Sequence, residues 1–166
     1  MREVQQLRDD ILHQLEDNGR IDLSTLAVLI GSDEARVANE VAQMEKEKII
    51  CGYSALIDWD KTGIERVTAL IEVRVTPQRG EGFDKIAARI YNFPEVESCY
   101  LISGGYDLMV ILDGRTLKEV SMFVSEKLSS LEAIISTSTH FILKRYKDNG
   151  IVMAASKEAE RMLVSP

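Results

Sequence analysis

The side chains best suited to recognition chemistry here are two carboxamides and a guanidinium, Arg36, Asn39 and Gln43. Asn39 and Gln43 stand four apart, so on a helix they share one face, and either can offer adenine a donor and an acceptor together in a major groove. Arg36 adds a planar fork suited to guanine or to a phosphate. The same residues would also make an ordinary solvated helix face. Groupings for catalysis are missing: the chain has no Ser-His-Asp set, P-loop or GxGxxG. His13 and His140 lack a second ligand at metal spacing, and Cys51 and Cys99 add none. No metal, no other cofactor and no enzymatic activity are therefore expected. Two distant cysteines without a CxxC pair fit reduced thiols of a cytoplasmic protein.

The elements that must position these residues are short amphipathic helices. Leu7, Ile11, Leu12 and Leu15 recur at helical spacing, which predicts a first helix over 5–17 ended by Asn18-Gly19. Asp22 is suited to cap a second helix with Leu23, Leu26, Ala27 and Ile30 on one face. Gly31 then supplies a turn. Ser32 or Asp33 caps a third helix, in which Val37, Val41 and Met44 form the inner stripe and Arg36, Asn39, Glu40 and Gln43 project outward. Two helices joined by so sharp a turn can present the second to a DNA groove. The run Ile49–Ile57 is apolar and extended, and reads as a strand leading out to a turn over Asp58–Gly63.

Beyond that point strand and helix signals alternate. Val67–Val75 reads as a strand and Phe83–Tyr91 as a helix. Val96–Ser103 and Tyr106–Leu112 read as strands joined across Gly104-Gly105. Thr116–Leu128 reads as a helix, and Ile134–Tyr146 as a strand with Ile135, Thr137, Thr139, Phe141 and Leu143 on one side. A further short helix is expected at Lys157–Leu163. The fold class is α+β: a (winged) helix-turn-helix over 1–50, an extended hinge over 51–65, a ferredoxin-like βαββαβ domain over 66–147, and a tail over 148–166. Both helices of the second domain fall on one sheet face. The other face carries apolar residues with nothing to cover it, which implies self-association.

Charge complicates the DNA reading. The chain carries a net charge of −7 over 166 residues. Residues 1–60 hold six Lys/Arg against thirteen Asp/Glu, so the excess of acid lies in the part of the chain that carries the expected helix-turn-helix and the start of its hinge. The usual basic footprint is absent. No run approaches the roughly 20 apolar residues that span a bilayer, and the charged amino terminus is not a secretory signal. No membrane partner is expected.

A helix-turn-helix, a hinge with a Gly-Tyr pair and a βαββαβ domain together resemble the Lrp/AsnC family of prokaryotic transcription regulators, over nearly the whole chain. Ile50–Asp58 (ICGYSALID) is similar to that family's Ile-x-Gly-Tyr-x-Ala-x-Ile-Asp hinge. Ser103–Asp107 (SGGYD) resembles its Gly-x-[Tyr/Phe]-Asp turn between the second and third strands of the ligand-binding, or RAM, domain. The resemblance implies double-stranded DNA and a small effector, usually an amino acid, as partners. It also implies a homodimer that assembles to a tetramer or octamer. It places Thr25, Arg36, Asn39 and Gln43 at the DNA. Leu101, Ser103, Gly104, Gly105, Tyr106 and Asp107 would line an effector pocket, joined by Thr137 and Thr139 of a neighbouring subunit. Glycines at such a turn leave backbone N–H groups open to a carboxylate, and an Asp can accept from an ammonium. Gly-Gly would equally suit a bare tight hairpin, because it tolerates positive φ.

The chain departs from the family at two points. Members commonly place one or more arginines mid-helix, near the positions that Asn39 and Glu40 occupy here, and Lys48 replaces the usual Gly between the third helix and the hinge. Two other readings follow from the same fold. One is a metabolite-sensing oligomer with degenerate DNA binding that acts through a protein partner. The other is an enzyme like the haem-pathway decarboxylases, which would need His and Arg groups around a tetrapyrrole.

Overall fold

Seven apolar side chains at helical spacing, Leu7, Ile11, Leu26, Ala27, Val37, Val41 and Met44, form the core of the N-terminal unit. They come from α1 (Arg2–Asp17), α2 (Leu23–Ile30) and α3 (Glu34–Lys46). The computed structural model describes residues 2–76 and 82–153 and divides into two compact units, Met1–Ile57 and Asp58–Pro166. Asp22 caps α2, its carboxylate accepting from the Thr25 N–H at 2.8 Å, and Asp33 caps α3 by accepting from the Arg36 N–H at 3.2 Å.

Both helices of the turn motif end alike. At Gly31 (φ 64°) the Gly31 N–H donates to the Val28 carbonyl and the Ser32 N–H to the Ala27 carbonyl. At Lys48 (φ 60°) the Lys48 N–H donates to Glu45 O and the Ile49 N–H to Met44 O. This paired closure needs a left-handed residue, which glycine adopts freely and lysine does not. The expected strand over Ile49–Ile57 does not form: residues 51–58 belong to no strand. The Tyr53 ring packs against Gly19, and its hydroxyl donates to Glu45 Oε1 at 3.0 Å, which holds the start of this segment to the helices.

The second unit comprises β1 (Val67–Val75), α4 (Gly82–Tyr91), β2 (Val96–Leu101), β3 (Leu108–Gly114), α5 (Leu117–Met122) and β4 (Ile134–Phe141). Helix α5 continues as a π-helical segment over Phe123–Leu128. The sheet is antiparallel in the order β2-β3-β1-β4, so the expected βαββαβ arrangement is present. Ala69, Ile71, Val73 and Val75 of β1 meet Leu108, Val110 and Leu112 of β3 beneath Ile86, Ile90, Val120 and Phe123 of the helices. On the opposite face Leu70, Met109 and Ile111 stay half-buried and Tyr100 is exposed.

Three details depart from the sequence reading. Strand bounds differ: β2 stops at Leu101 and β4 at Phe141, both short of the expected ends, and β3 is displaced two residues to Leu108–Gly114. The β1–β4 register shifts between Arg74 and Val75, so Ile134 turns to the core and Ile135 is 66% exposed. Leu143 lies beyond the strand and is exposed. A small hairpin was not foreseen either: Lys147–Asp148 (β5) pairs with Ile151–Val152 (β6) across Asn149-Gly150, both at positive φ. The helix expected at Lys157–Leu163 lies outside the described residues.

The left-handed lysine yields a stability prediction. Forcing an L side chain into that region costs about 1–2 kcal/mol. Lys48→Gly should raise the melting temperature, by about 4 °C or more for a small unit. Gly31→Ala, equally free of steric neighbours but left-handed, should lower it. Thermal denaturation followed by circular dichroism measures both.

Candidate DNA-reading helix and effector turn

Helix α3 is the second helix of the turn motif, and its outer surface carries Arg36, Asn39 and Gln43, all exposed, with Ala35, Ala42 and Lys46 beside them. Short alanines next to longer polar side chains let a helix approach a groove closely. Gln43 spends one donor inside the chain, its amide donating to Glu47 Oε1 at 2.7 Å. Arg36 and Asn39 have side chains directed to solvent.

Glu40 corrects the sequence reading. It does not share the outward face; it turns to α1, where Arg8 Nε donates to Glu40 Oε2 at 2.8 Å and Arg8 Nη1 to Glu47 Oε2 at 2.8 Å. Arg8 and Glu40 side chains are each 21% exposed. The physical reason is position: Glu40 sits at the flank of the buried stripe, within reach of the one guanidinium that α1 presents there. The Arg8 guanidinium is pushed further up by Glu47 and then Glu40, and the Glu47 carboxyl is held below its usual value by Arg8 and then Gln43. Two of the carboxylates counted against DNA binding, Glu40 and Glu47, are therefore turned to one guanidinium.

Thr25 lies in the first turn of α2, exposed, with its hydroxyl donating to Asp22 Oδ2 at 2.8 Å. Only its lone pairs remain for a partner that donates. Ser24 adds a hydroxyl bond to Asp22 Oδ1 at 2.5 Å. Ser24 and then the Thr25 backbone and hydroxyl hold the Asp22 carboxyl down at about 2.

The second candidate region is the connection between β2 and β3. Asp107 organises it: its N–H donates to Val73 O at 3.1 Å, its carbonyl accepts from Ile102 N–H at 2.8 Å, and its Oδ2 accepts from Val75 N–H at 2.9 Å. One carboxylate oxygen is thus committed to the end of β1. Ser103, Gly104 and Gly105 are exposed and Tyr106 is half-buried, while Leu101 on the preceding strand is 62% exposed. Neither glycine adopts positive φ. A Cβ at Gly105 would meet nothing, and one at Gly104 would come no closer than 3.7 Å to Ile102. The tight-hairpin reading therefore loses its reason, because the chain's own geometry does not require glycine here. Thr137 and Thr139 are half-buried on β4, opposite Val73 and Ile71, so β1 separates them from the turn of the same chain.

Sequence reasoning missed Arg8 because its partners lie 32 and 39 residues away and no periodicity marks such a pair. It also missed Arg145, whose hydroxyl partner is likewise distant in sequence. Its guanidinium donates to the buried Thr68 hydroxyl at 2.6 Å, and that hydroxyl donates to Asp113 Oδ1 at 2.5 Å.

A three-helix unit whose third helix has an exposed polar face, followed by a βαββαβ domain, defines a helix-turn-helix protein with a ligand-binding-type C-terminal domain. Comparison with known proteins makes this specific. Residues 68–152 match the Lrp/AsnC ligand binding domain. The HTH-type transcriptional regulator YugG of Bacillus subtilis is 51% identical over 158 residues, 95% of each chain. The proline dehydrogenase transcriptional activator of Rhodobacter capsulatus is 33% identical over 134 residues, 81% of this chain and 86% of its own. Among solved structures, Bacillus subtilis LrpC superposes with a TM-score of 0.61 at 25% identity, over 85% of this chain and 95% of its own. The Neisseria meningitidis regulator NMB0573, in complex with L-Met, gives 0.68 at 24% identity over 86% and 91%. The chain belongs to the Lrp/AsnC family of transcriptional regulators.

The Asp22 cap sets an acid limit on α2. A carboxyl held at about 2 when folded, against 3.8 ordinarily, contributes stability that is complete above the higher value and lost as pH falls through the lower. Stability measured by denaturant titration should therefore fall between pH 4 and pH 2, and Asp22→Asn should flatten that fall.

Proposed function

We propose that this regulator binds double-stranded DNA in the cytoplasm through α3 and responds to an amino acid at the Ser103–Asp107 turn. The observation that carries the DNA reading is the separation of charge on α3: Glu40 is paired with Arg8, and Arg36, Asn39 and Gln43 stay exposed. Arg36 contacts guanine or phosphate, Asn39 and Gln43 read adenine, and Thr25 accepts from a neighbouring donor. The chain still offers few cations, so binding leans on assembly. Two copies pair through the open sheet face around Leu70, Met109 and Ile111. Further association to a tetramer or octamer makes each added contact intramolecular.

The effector reading is supported by two glycines that the chain itself does not need. Backbone N–H groups at Gly104 and Gly105 receive the carboxylate. The free oxygen of Asp107 receives the ammonium, Leu101, Ser103 and Tyr106 shape the site, and Thr137 and Thr139 of a neighbouring copy close it. A solved structure of similar fold is a complex with L-Met, and a relative is named a proline dehydrogenase activator, which favours amino acids as the class. Binding at a subunit contact would shift assembly through its different affinity for the two states.

Salt titration of binding to the chain's own upstream DNA tests the first part. Affinity should fall with salt, and Arg36→Ala should weaken it with a slope smaller by about one if Arg36 meets phosphate. Absence of binding at low salt, with and without amino acids, would support action through a protein partner instead. The second part is tested by thermal shift with each standard amino acid. A stabilising ligand should lose its effect in Gly105→Ala, which the fold accommodates. A full shift retained in that variant overturns the turn as the site.

A further inference from the structure

Asparagine followed by glycine is the pair in which a side-chain amide and the next backbone nitrogen meet with least hindrance, because glycine carries no Cβ. This chain has two such pairs, Asn18-Gly19 and Asn149-Gly150. Both are exposed, so exposure does not separate them. Their surroundings do.

Asn18 directly follows α1 and is tied in on several sides. Its N–H donates to Gln14 O at 2.9 Å, its carbonyl accepts from Ile21 N–H at 3.2 Å, and its Oδ1 accepts from Arg20 N–H at 3.1 Å. Gly19 lies against the Tyr53 ring, whose hydroxyl is held by Glu45. Turning the Asn18–Gly19 peptide to bring its nitrogen onto the side-chain carbon would break these contacts together. Asn149 stands instead at the tip of β5–β6, at φ 42° with Gly150 at φ 81°, and among the described residues none bonds its side-chain amide. The hairpin beneath it has two residues in each strand, extended by one bond from Met153 N–H to Tyr146 O at 3.0 Å. Its apolar side chains Tyr146, Ile151 and Val152 are exposed rather than packed. A two-stranded ribbon of this size is marginal in water and opens readily.

We propose that Asn149 is a site of spontaneous deamidation, a modification whose co-reactant is water, and that its conversion unfastens the hairpin. In the opened ribbon the Gly150 nitrogen attacks Asn149 Cγ and gives up its proton. A C–N bond closes a cyclic imide, and the side-chain nitrogen leaves as ammonia with that proton. Water then opens the imide. Addition at Cγ gives aspartate, and addition at the backbone carbonyl gives isoaspartate, whose main chain runs through Cβ and Cγ. Either product puts a second carboxylate beside Asp148. Isoaspartate also lengthens the turn by one methylene, which a two-residue connection with both residues at positive φ does not accommodate. The effect ends at Arg145, whose guanidinium donates to the buried Thr68 hydroxyl at 2.6 Å and holds the chain ahead of the hairpin to β1. The site shares no residue with α3 or with the Ser103–Asp107 turn.

Ageing the full chain at mildly alkaline pH, followed by mass spectrometry of its tryptic peptides, tests this. Peptide 148–157 should gain the mass difference between oxygen and NH several-fold faster than peptide 9–20 gains it at Asn18, and isoaspartyl methyltransferase should label residue 149 of the product. The synthetic peptide 148–157, which has no hairpin, sets the fastest rate, and the intact chain should approach it. Amide shifts of the aged wild-type protein should change at residues 146–153 and hold along β1 to β4. Asn149→Gly gives a pair that suits the same turn, so it should keep the hairpin shifts and show no mass gain in that peptide. Conversion at Asn18 as fast as at Asn149, a residue 149 that stays amidated in the intact chain while the peptide converts, or hairpin shifts unchanged in the converted protein would each overturn the proposal.

Discussion

Strand β1 is the element on which the C-terminal unit depends. It is paired on both sides along most of its length, with β3 from Val67 to Val73 and with β4 from Ala69 to Val75. Its alternate residues Ala69, Ile71 and Val73 are fully buried under the helices. Each end is also tied by a side chain from elsewhere. Asp107 takes the Val75 N–H where the β4 register slips, and Asp113 with Arg145 serves the buried Thr68 hydroxyl near the start. Without these, one buried hydroxyl and one irregular strand end would go unpaired, which the low dielectric of the interior penalises. The Ser103–Asp107 turn inherits its geometry from how firmly this strand is held, because β3 lies directly against it.

In the N-terminal unit the equivalent constraint is electrostatic. Eleven carboxylates against six bases would repel a polyanion if all were free. Arg8 changes the arithmetic locally by serving Glu40 and Glu47 together, and Asp22 and Asp33 are turned to the N-termini of α2 and α3. Carboxylates at those termini complement the helix dipole. What counts for an approaching phosphate is the face of α3, not the sum over the chain.

Most of the fold was legible because its signals are local. Apolar residues at period 3.6 marked α1 to α3, and β-branched runs broken by Gly and Pro marked the strands in their βαββαβ order. Asp22 and Gly31 announced a cap and a stop by residue type alone. What escaped depends on distance or on small shifts. The Arg8 pair joins residues more than 30 apart. The slip at Arg74/Val75 exchanged Ile135 for Ile134 in the core, since one residue of register reverses every side chain. The Asn149-Gly150 hairpin was readable, because Asn-Gly is a strong two-residue turn signal, but its strands are only two residues long. Within the candidate site, residue types pointed to the Ser103–Asp107 turn. They did not reveal that Asp107 spends one oxygen on β1.

The glycines separate packing from recognition. Gly31 satisfies a left-handed closure, and Gly114 admits Val120; each has a cause inside the chain, and replacing either costs folding energy. Gly104 and Gly105 have neither cause, since their φ angles suit any residue and a Cβ there meets open space or ordinary contact. A glycine without an internal reason still carries the cost of greater freedom in the unfolded chain. Close approach of something outside the chain to the backbone at this turn would offset that cost. Lys48 is the converse: an internal reason for glycine exists, yet a lysine occupies the position and bears the strain. A positive charge at the end of α3 favours both the helix dipole and a nearby polyanion, which is the compensation a DNA-facing helix short of basic residues would select.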